Sequence, residues 1–403
     1  MWQKKLKTNG RIANDFLVAI CLLLIVISGI THRPLLLLFV GLIGLYCLVI
    51  WIYHRAIEKR LELVDEPTTS YLFPGDESTL TFHFKNRSIF PFIHGRLAFY
   101  TNATIQTKEN PLSKSDEQDV SELPLALIQK GSTVLEVPFV AQKRGITRIT
   151  NIRYRFPHLW MFQSMVLSYL PYYQQEIIVY PELKPVQGLD TFVQMAPGNQ
   201  IASMSPFEDL ESHIGTRDYT HQDPFHRINW KASAKAQRLQ TNQYEKIIDA
   251  SFVFLINLQA PGKESRVQKR QTIENYLSYT AYLANYARQK GFPYEIFINT
   301  RKPGRVPYVH LPEGAGMPHY LKVLEQLARI HNQPMVSSMA PLMYRVGKQW
   351  TKPKTIIIIG EMLPEMTSVV KRWHAMHRVL QVKENEQTAT LTPWQKGGRF
   401  HAR

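Results

Sequence analysis

Between Phe207 and Glu245 the chain gathers the side chains best able to do chemistry: Asp209, Glu211, His213, Asp218, His221, Asp223 and His226, interleaved with Arg217, Arg227, Lys231 and Lys235. Carboxylates and imidazoles this close together can ligate zinc or activate a water for hydrolysis. Their spacing matches no H-E-x-x-H pattern, in which two imidazoles one helical turn apart face a single ion. Read as structure, the same residues are caps, ion pairs and solvated polar groups. Asp223 followed by Pro224 predicts a helix start, because Asp accepts orphan amide hydrogens and Pro has none to satisfy. A helix from there sets Arg227, Lys231 and Lys235 on one face at four-residue spacing, with Phe225, Ile228 and Ala232 on another. Arg217 and Arg227 can then hold carboxylates bidentately, while Tyr219 and Trp230 bury their rings and hydrogen-bond at their polar tips, which makes the segment a structural clamp. From Arg238 the run RLQTNQYE alternates and predicts a strand leading into the next domain.

Other chemistries find less support. No G-x-x-x-x-G-K-[ST] loop, G-x-G-x-x-G fingerprint or G-x-S-x-G elbow occurs, and Gly314-Ala315-Gly316 lacks the lysine and strong preceding strand of a phosphate loop. The two cysteines, Cys21 and Cys47, both lie in apolar runs, so no disulfide framework or soluble thiol nucleophile is available. Nucleic-acid binding through Arg227, Lys231, Lys235, Arg238 and Lys246, with Trp230 and Tyr244 as stacking platforms, is a third possibility. Against it, basic residues are spread over the whole chain, and no nucleic-acid partner is expected.

The elements that must position these residues follow from length and periodicity. The 403 residues suffice for two soluble domains beside a membrane part, and 48 Lys+Arg against 32 Asp+Glu give a formal charge of +16. Two apolar runs, 12–31 and 34–53, approach the roughly 20 residues needed to cross a bilayer. With basic residues outside both runs and only Arg33 in the turn, residues 1–60 read as a two-helix transmembrane hairpin. Both termini and the soluble domains are then cytoplasmic, and the protein is two-pass in the plasma membrane with the lipid bilayer as a partner. Residues 61–183 alternate with period two, as in TLTFHFKN and GRLAFYTN, and predict a β-sandwich-like domain. Within it the acidic stretch 108–122 reads as a solvated loop, and 158–162 as an apolar packing knot. Residues 184–206 read as a linker, 207–245 as the polar segment, and 246–385 as strands alternating with helices, hence a doubly wound parallel sheet. The basic tail 386–403 is expected to lack structure.

The order Arg217, Tyr219, Asp223, Arg227, Ile228, Asn229, Trp230, Lys231, Ala234, Lys235 and Leu239 resembles the signature of the bacterial domain-of-unknown-function 58 family. Two positions depart from it: Gln222 stands where the family has Gly, and Lys235 where Arg is common. The resemblance implies a von Willebrand factor A-like α/β domain after the signature. Domains of that type often hold a divalent cation in an Asp-x-Ser-x-Ser loop after their first strand. Here those three places hold Asn257, Gln259 and Pro261, so the cation loop is degenerate and no cofactor or metal is expected. The resemblance further implies a MoxR-type AAA ATPase and a membrane transglutaminase-like protein as partners. The expectation is therefore a membrane-anchored, non-catalytic interaction protein acting with that ATPase in envelope or complex assembly. The alternative is a metal-dependent hydrolase using the carboxylates and histidines of 207–230.

Overall fold

The computed structural model describes residues 2–5, short runs between 19 and 49, 60–108, 111–114, 118–157, 164–190, 208–220, 223–246, 251–259, 265–301, 307–331, 334–385 and 388–394. The chain is mixed α/β and divides into two compact units, Met1–Glu182 and Leu183–Arg403.

The first unit is all β among the described residues beyond position 60. Its strands are β1 (Trp2–Lys5), β2 (Leu61–Val64), β3 (Thr69–Leu72), β4 (Glu77–Asn86), β5 (Arg96–Asn102), β6 (Ile105–Thr107) and β7 (Pro111–Lys114). They continue as β8 (Gln118–Pro124), β9 (Ser132–Ala141), β10 (Gly145–Arg148), β11 (Thr150–Pro157), β12 (Ser164–Tyr169) and β13 (Glu176–Val179). A six-stranded sheet, β1-β12-β11-β5-β8-β7, and a four-stranded sheet, β2-β4-β9-β6, share one core, with β10-β13-β3 as a smaller third sheet. The alternation is the cause: Leu80, Phe82 and Phe84 of β4 and Leu97 and Phe99 of β5 point inward while their neighbours along each strand face out. Tyr154 in β11 is fully buried, and its hydroxyl donates to Leu125 O at 2.9 Å. Its ring occupies the space that a side chain at Gly95 would need, since a Cβ there would fall 2.0 Å from the Tyr154 oxygen.

The second unit holds β14 (Val186–Gln187), β15 (Glu208–Asp218), α1 (Trp230–Ala236), β16 (Gln240–Lys246), β17 (Phe252–Ile256), α2 (Arg266–Gln289) and β18 (Tyr294–Ile298). After these come β19 (Val309–Gly314), α3 (Gly316–Ala328), α4 (Met339–Gly347), β20 (Thr355–Ile359), α5 (Pro364–Trp373), β21 (Arg378–Asn385) and β22 (Thr388–Pro393). Its seven-stranded sheet runs β14-β22-β21-β20-β17-β18-β19, with β15 and β16 forming a separate antiparallel pair. The runs FVFLI and YEIFI are buried throughout and IIII of β20 nearly so, which suits strands covered on both faces. Strands β21, β20, β17 and β18 are mutually parallel, whereas β19 and β22 pair antiparallel at the two sides. Helix α2 starts at a capping box: Ser265 Oγ accepts from the Gln268 amide, and the Gln268 side chain accepts from the Ser265 amide.

Several expectations need correction. No helix among the described residues is long and apolar enough to cross a membrane. Much of the two predicted spans lies outside the described residues. With no such helix among the described residues, the expected transmembrane hairpin and the two-pass plasma-membrane placement are overturned. The fold is a mixed α/β chain of several sheets instead. The basic start is an edge strand, β1, in which Trp2 is buried against Phe84 and Tyr169 and so outweighs the lysines beside it. Strands β7 and β8 occupy much of the stretch read as an acidic loop, because Ser121 and Leu123 alternate inward there. The sheet is mixed and not wholly parallel, and the tail begins with β22, whose Ala389 and Leu391 are buried. Residues 158–162, most of the linker 184–206, His221 and Gln222 lie outside the described residues.

Candidate docking hairpin

The polar segment is a β-hairpin carrying a helix in its connection. Strand β15 pairs antiparallel with β16 through Thr216–Asn242, Arg217–Thr241 and Asp218–Gln240. Alternation in RLQTNQYE makes β16 legible, whereas β15 has the same extended form with no apolar period to mark it.

No single helix runs from Pro224. A 3-10 turn covers Phe225–Arg227, Ile228 is extended at ψ 123°, and α1 begins only at Trp230. Ile228 bridges Thr241, so its buried side chain is held by sheet pairing, which interrupts the helix. The helix cap is Asn229: its Oδ1 accepts from the Ala232 amide at 3.0 Å and its Nδ2 donates to Asn242 Oδ1 at 2.8 Å. Arg227 therefore stands on the turn, separated from Lys231 and Lys235, which alone share the face of α1. Ser233, not singled out by the sequence, locks the helix to the strand. It donates to Asn229 O at 2.7 Å and accepts the Gln240 amide at 2.8 Å.

Freed from capping, Asp223 becomes the hub. Its two oxygens accept from Arg217 Nη1 at 2.9 Å and Nη2 at 2.6 Å, the bidentate arrangement expected of a guanidinium. Oδ2 also accepts the Thr220 amide and hydroxyl, each at 2.9 Å, and Tyr219 donates from its hydroxyl to Asp223 O at 3.0 Å. A second pair, Arg238 with Asp218 at 2.9 Å, ties the end of the connection to β15, and Gln240 Nε2 donates to the other Asp218 oxygen at 2.6 Å.

The hydrogen bonds from Arg217, and then the one from the Thr220 amide, pull the Asp223 pKa from 3.8 down to about 2. A carboxylate whose folded pKa lies below its unfolded one contributes stability that is complete above about pH 4 and is lost as pH falls through 2. The Thr220 amide resonance should accordingly titrate with a midpoint near 2 in the folded protein. A midpoint near 4 would mean that the Arg217–Asp223 clamp is absent in solution.

What the frame leaves outward is aromatic and basic. Trp230 is 69% and Phe225 77% exposed, contrary to the expectation that the Trp230 ring is buried, and Lys231 and Lys235 are exposed beside Trp230 on α1. Phe225 leans on the half-buried Tyr219 with ring centres 5.9 Å apart. Trp230 points out because Asn229, not Asp223, starts α1, and the inward positions of so short a helix go to Ala232 and Ser233. As for the hydrolase chemistry, Asp223 is fully engaged, and the side chains of Asp209, Glu211 and His213 lie outside the described residues. Among the described residues no group of three or more His, Cys, Asp or Glu could hold a metal ion.

The loop after β17 sits where the sheet order reverses, between β17 and β20, the place where open α/β sheets form a crevice. Asn257 is fully buried there. Its Nδ2 donates to Glu361 O at 2.8 Å, and its Oδ1 accepts from Asn299 Nδ2 at 2.7 Å and from the Gln259 amide at 3.1 Å. Asn299 at the end of β18 returns a contact, its Oδ1 accepting the Leu258 amide at 2.8 Å. Opposite them Gly360 has φ +109°, and a Cβ there would lie 2.3 Å from Asn257 O. The amide pair thus joins three strand ends, while Pro261 lies outside the described residues.

No family model matches the chain, and no curated protein matches it. Solved structures that match do so over part of the chain. Salmonella alpha-2-macroglobulin is 20% identical over 32% of this chain and 7% of its own, with a TM-score of 0.19. The seventh ScaB type I cohesin from Pseudobacteroides cellulosolvens is 14% identical over 32% of this chain and 97% of its own, at TM-score 0.20. Spo0M, the sporulation control protein from Bacillus subtilis, is 13% identical over 30% and 48%, at TM-score 0.15. Scores this low bear no argument about fold or function.

Proposed function

We propose that the chain is a non-catalytic docking protein whose contact surface is the hairpin of β15, α1 and β16. The observation that carries this reading is the exposure of Trp230 and Phe225 beside Lys231 and Lys235, on a frame held by the Arg217–Asp223 and Ser233–Gln240 hydrogen bonds. Large aromatics next to cations are the residues that dominate association energies once a partner desolvates them. A rigid frame adds to this, because less conformational entropy is lost when such a surface binds. The family that the signature resembles supplies the partner: a MoxR-type AAA ATPase.

The test is direct binding of the full chain to that purified ATPase, comparing wild type with Phe225→Ala plus Trp230→Ala. Both residues are solvent-exposed, so the double variant should melt with the wild type and yet bind at least tenfold more weakly. Undiminished binding by the double variant, or none by wild type, would refute the assignment.

A further inference from the structure

A second surface, remote in sequence from the hairpin, carries charge that the fold does not use. Helices α4 and α5 pack against the same core, through Leu342, Met343 and Val346 on one and Met366, Val370 and Trp373 on the other. Their outward residues near the C-terminal ends are Tyr344, Arg345 and Lys348, and Lys371 and Arg372. Lys348 Nζ lies 4.5 Å and Arg372 Cζ 5.7 Å from the centre of the Tyr344 ring, so residues of both elements converge on one exposed tyrosine. Lys348 at the phenol oxygen, and then Arg372, hold the Tyr344 pKa below its usual value.

Cations at helix C-termini have an ordinary explanation, since each helix end carries about half a negative charge. Two helix ends therefore balance about one cation, whereas this surface presents Arg345, Lys348, Lys371 and Arg372. About three positive charges remain uncompensated. Among the described residues none of the four makes an ion pair. The one carboxylate on α5, Glu365, lies seven residues before Arg372, about 10 Å along the axis, and accepts from Ser338 Oγ. Concentrating like charge in this way is unfavourable unless an anion is bound. The Tyr344 ring is already engaged by its own cations, so it does not offer the free platform on which single-stranded nucleic acid stacks its bases. Carboxylates need no such platform; they pair with guanidinium and ammonium groups directly.

We infer that the Tyr344–Lys348–Arg372 face binds a carboxylate-rich segment of a partner protein. It involves none of the hairpin residues, so either surface can fail alone. The test uses the full chain and a fluorescein-labelled glutamate-rich peptide followed by anisotropy. Lys348→Glu with Arg372→Glu, and separately the milder Lys348→Gln with Arg372→Gln, should weaken binding at least tenfold, the reversal more than the neutralisation. Arg266→Glu with Lys322→Glu, an equal charge change at exposed positions elsewhere, should leave it within twofold. Equal loss in both pairs would reduce the effect to net charge and overturn the proposal. So would unchanged binding in the Lys348/Arg372 variants, or tighter binding of a twelve-nucleotide oligothymidylate that those variants abolish.

Discussion

Replacing Lys354 by Met is expected to destabilise the second unit by about 3 kcal/mol, because it strands a buried carboxylate. Glu295 opens onto the N-terminal edge of the parallel strands, where it and Lys354 are almost wholly enclosed, with side chains 9% and 12% exposed. Lys354 Nζ donates to Glu295 at 2.8 Å and to the more open Glu313 at 2.7 Å, and Trp350 Nε1 donates to the same Glu295 oxygen at 2.9 Å. Burial pulls the Lys354 pKa down, and the hydrogen bonds to Glu295 and Glu313 outweigh it, leaving the amine above its usual value. The lysine's contribution is therefore complete at neutral pH and is lost as pH rises through its folded pKa. The amide of Lys354 donates to His377 Nδ1 at 3.2 Å, which requires that ring nitrogen unprotonated. Burial, and then the Lys354 charge, lower the His377 pKa in the same sense.

The effect is asymmetric, and that separates an ion pair from mere packing. Removing one partner of a buried pair costs about 3–5 kcal/mol, while replacing both by groups of similar shape is close to neutral. The lower figure applies because Glu295 keeps the Trp350 donor, and His310 Nε2 stands 3.6 Å from its other oxygen. Glu295→Gln combined with Lys354→Met should thus recover most of the loss, since an amide oxygen still accepts from Trp350. Urea unfolding of the full chain, read by hydrogen exchange in 294–298 and 355–359, measures both. A Lys354→Met protein within 0.5 kcal/mol of wild type would show the pair to be energetically idle.

Periodicity carried the reading of the second unit. The runs FVFLI, YEIFI and TIIII could hardly be anything but covered strands, and the helices α2 and α3 follow from their apolar spacing, whereas α4 (Met339–Gly347) was not foreseen. What escaped were elements whose local pattern is weak and whose partners are distant. Strand β19 reads VHLPEG with two buried or half-buried alternations and exists by pairing with β18, and β22 exists by pairing with β21. The apolar runs at 12–31 and 34–53 predict spans from length and flanking charge alone, and no helix among the described residues is long and apolar enough to cross a membrane. In the hairpin the residues of interest were legible and their roles were not. Asp-Pro is a sound helix start on local chemistry, yet a bidentate Arg217 six residues upstream claims the carboxylate, and Asn229 inherits the cap. That contest is decided by the β15–β16 register, which no window of sequence contains.

Asn257→Asp is expected to cost about 3 kcal/mol, even though Asp is the residue that a cation loop would place there. The amide is fully buried and uses both of its ends: Nδ2 donates to Glu361 O, and Oδ1 accepts from Asn299 Nδ2 and the Gln259 amide. A carboxylate keeps the second set and loses the first, so one of its oxygens faces the Glu361 carbonyl, and acceptor meets acceptor. Burying a charge without a counter-charge is the larger part of the penalty, and a raised pKa with uptake of a proton is the way such a site relieves it. The variant should therefore be least stable at neutral pH and regain stability as pH falls toward 5, the reverse of the Asp223 response. For a unit of this size a loss of about 3 kcal/mol lowers the melting temperature by about 6–12 °C. Melting at pH 7 and pH 5, each with and without millimolar Mg²⁺, decides between two accounts of the crevice. Recovery on acidification alone identifies the Asn257–Asn299 pair as a structural joint between strand ends. Recovery at pH 7 on adding Mg²⁺ would mean that a single substitution restores a cation site, and that the joint evolved over a loop still shaped to hold one.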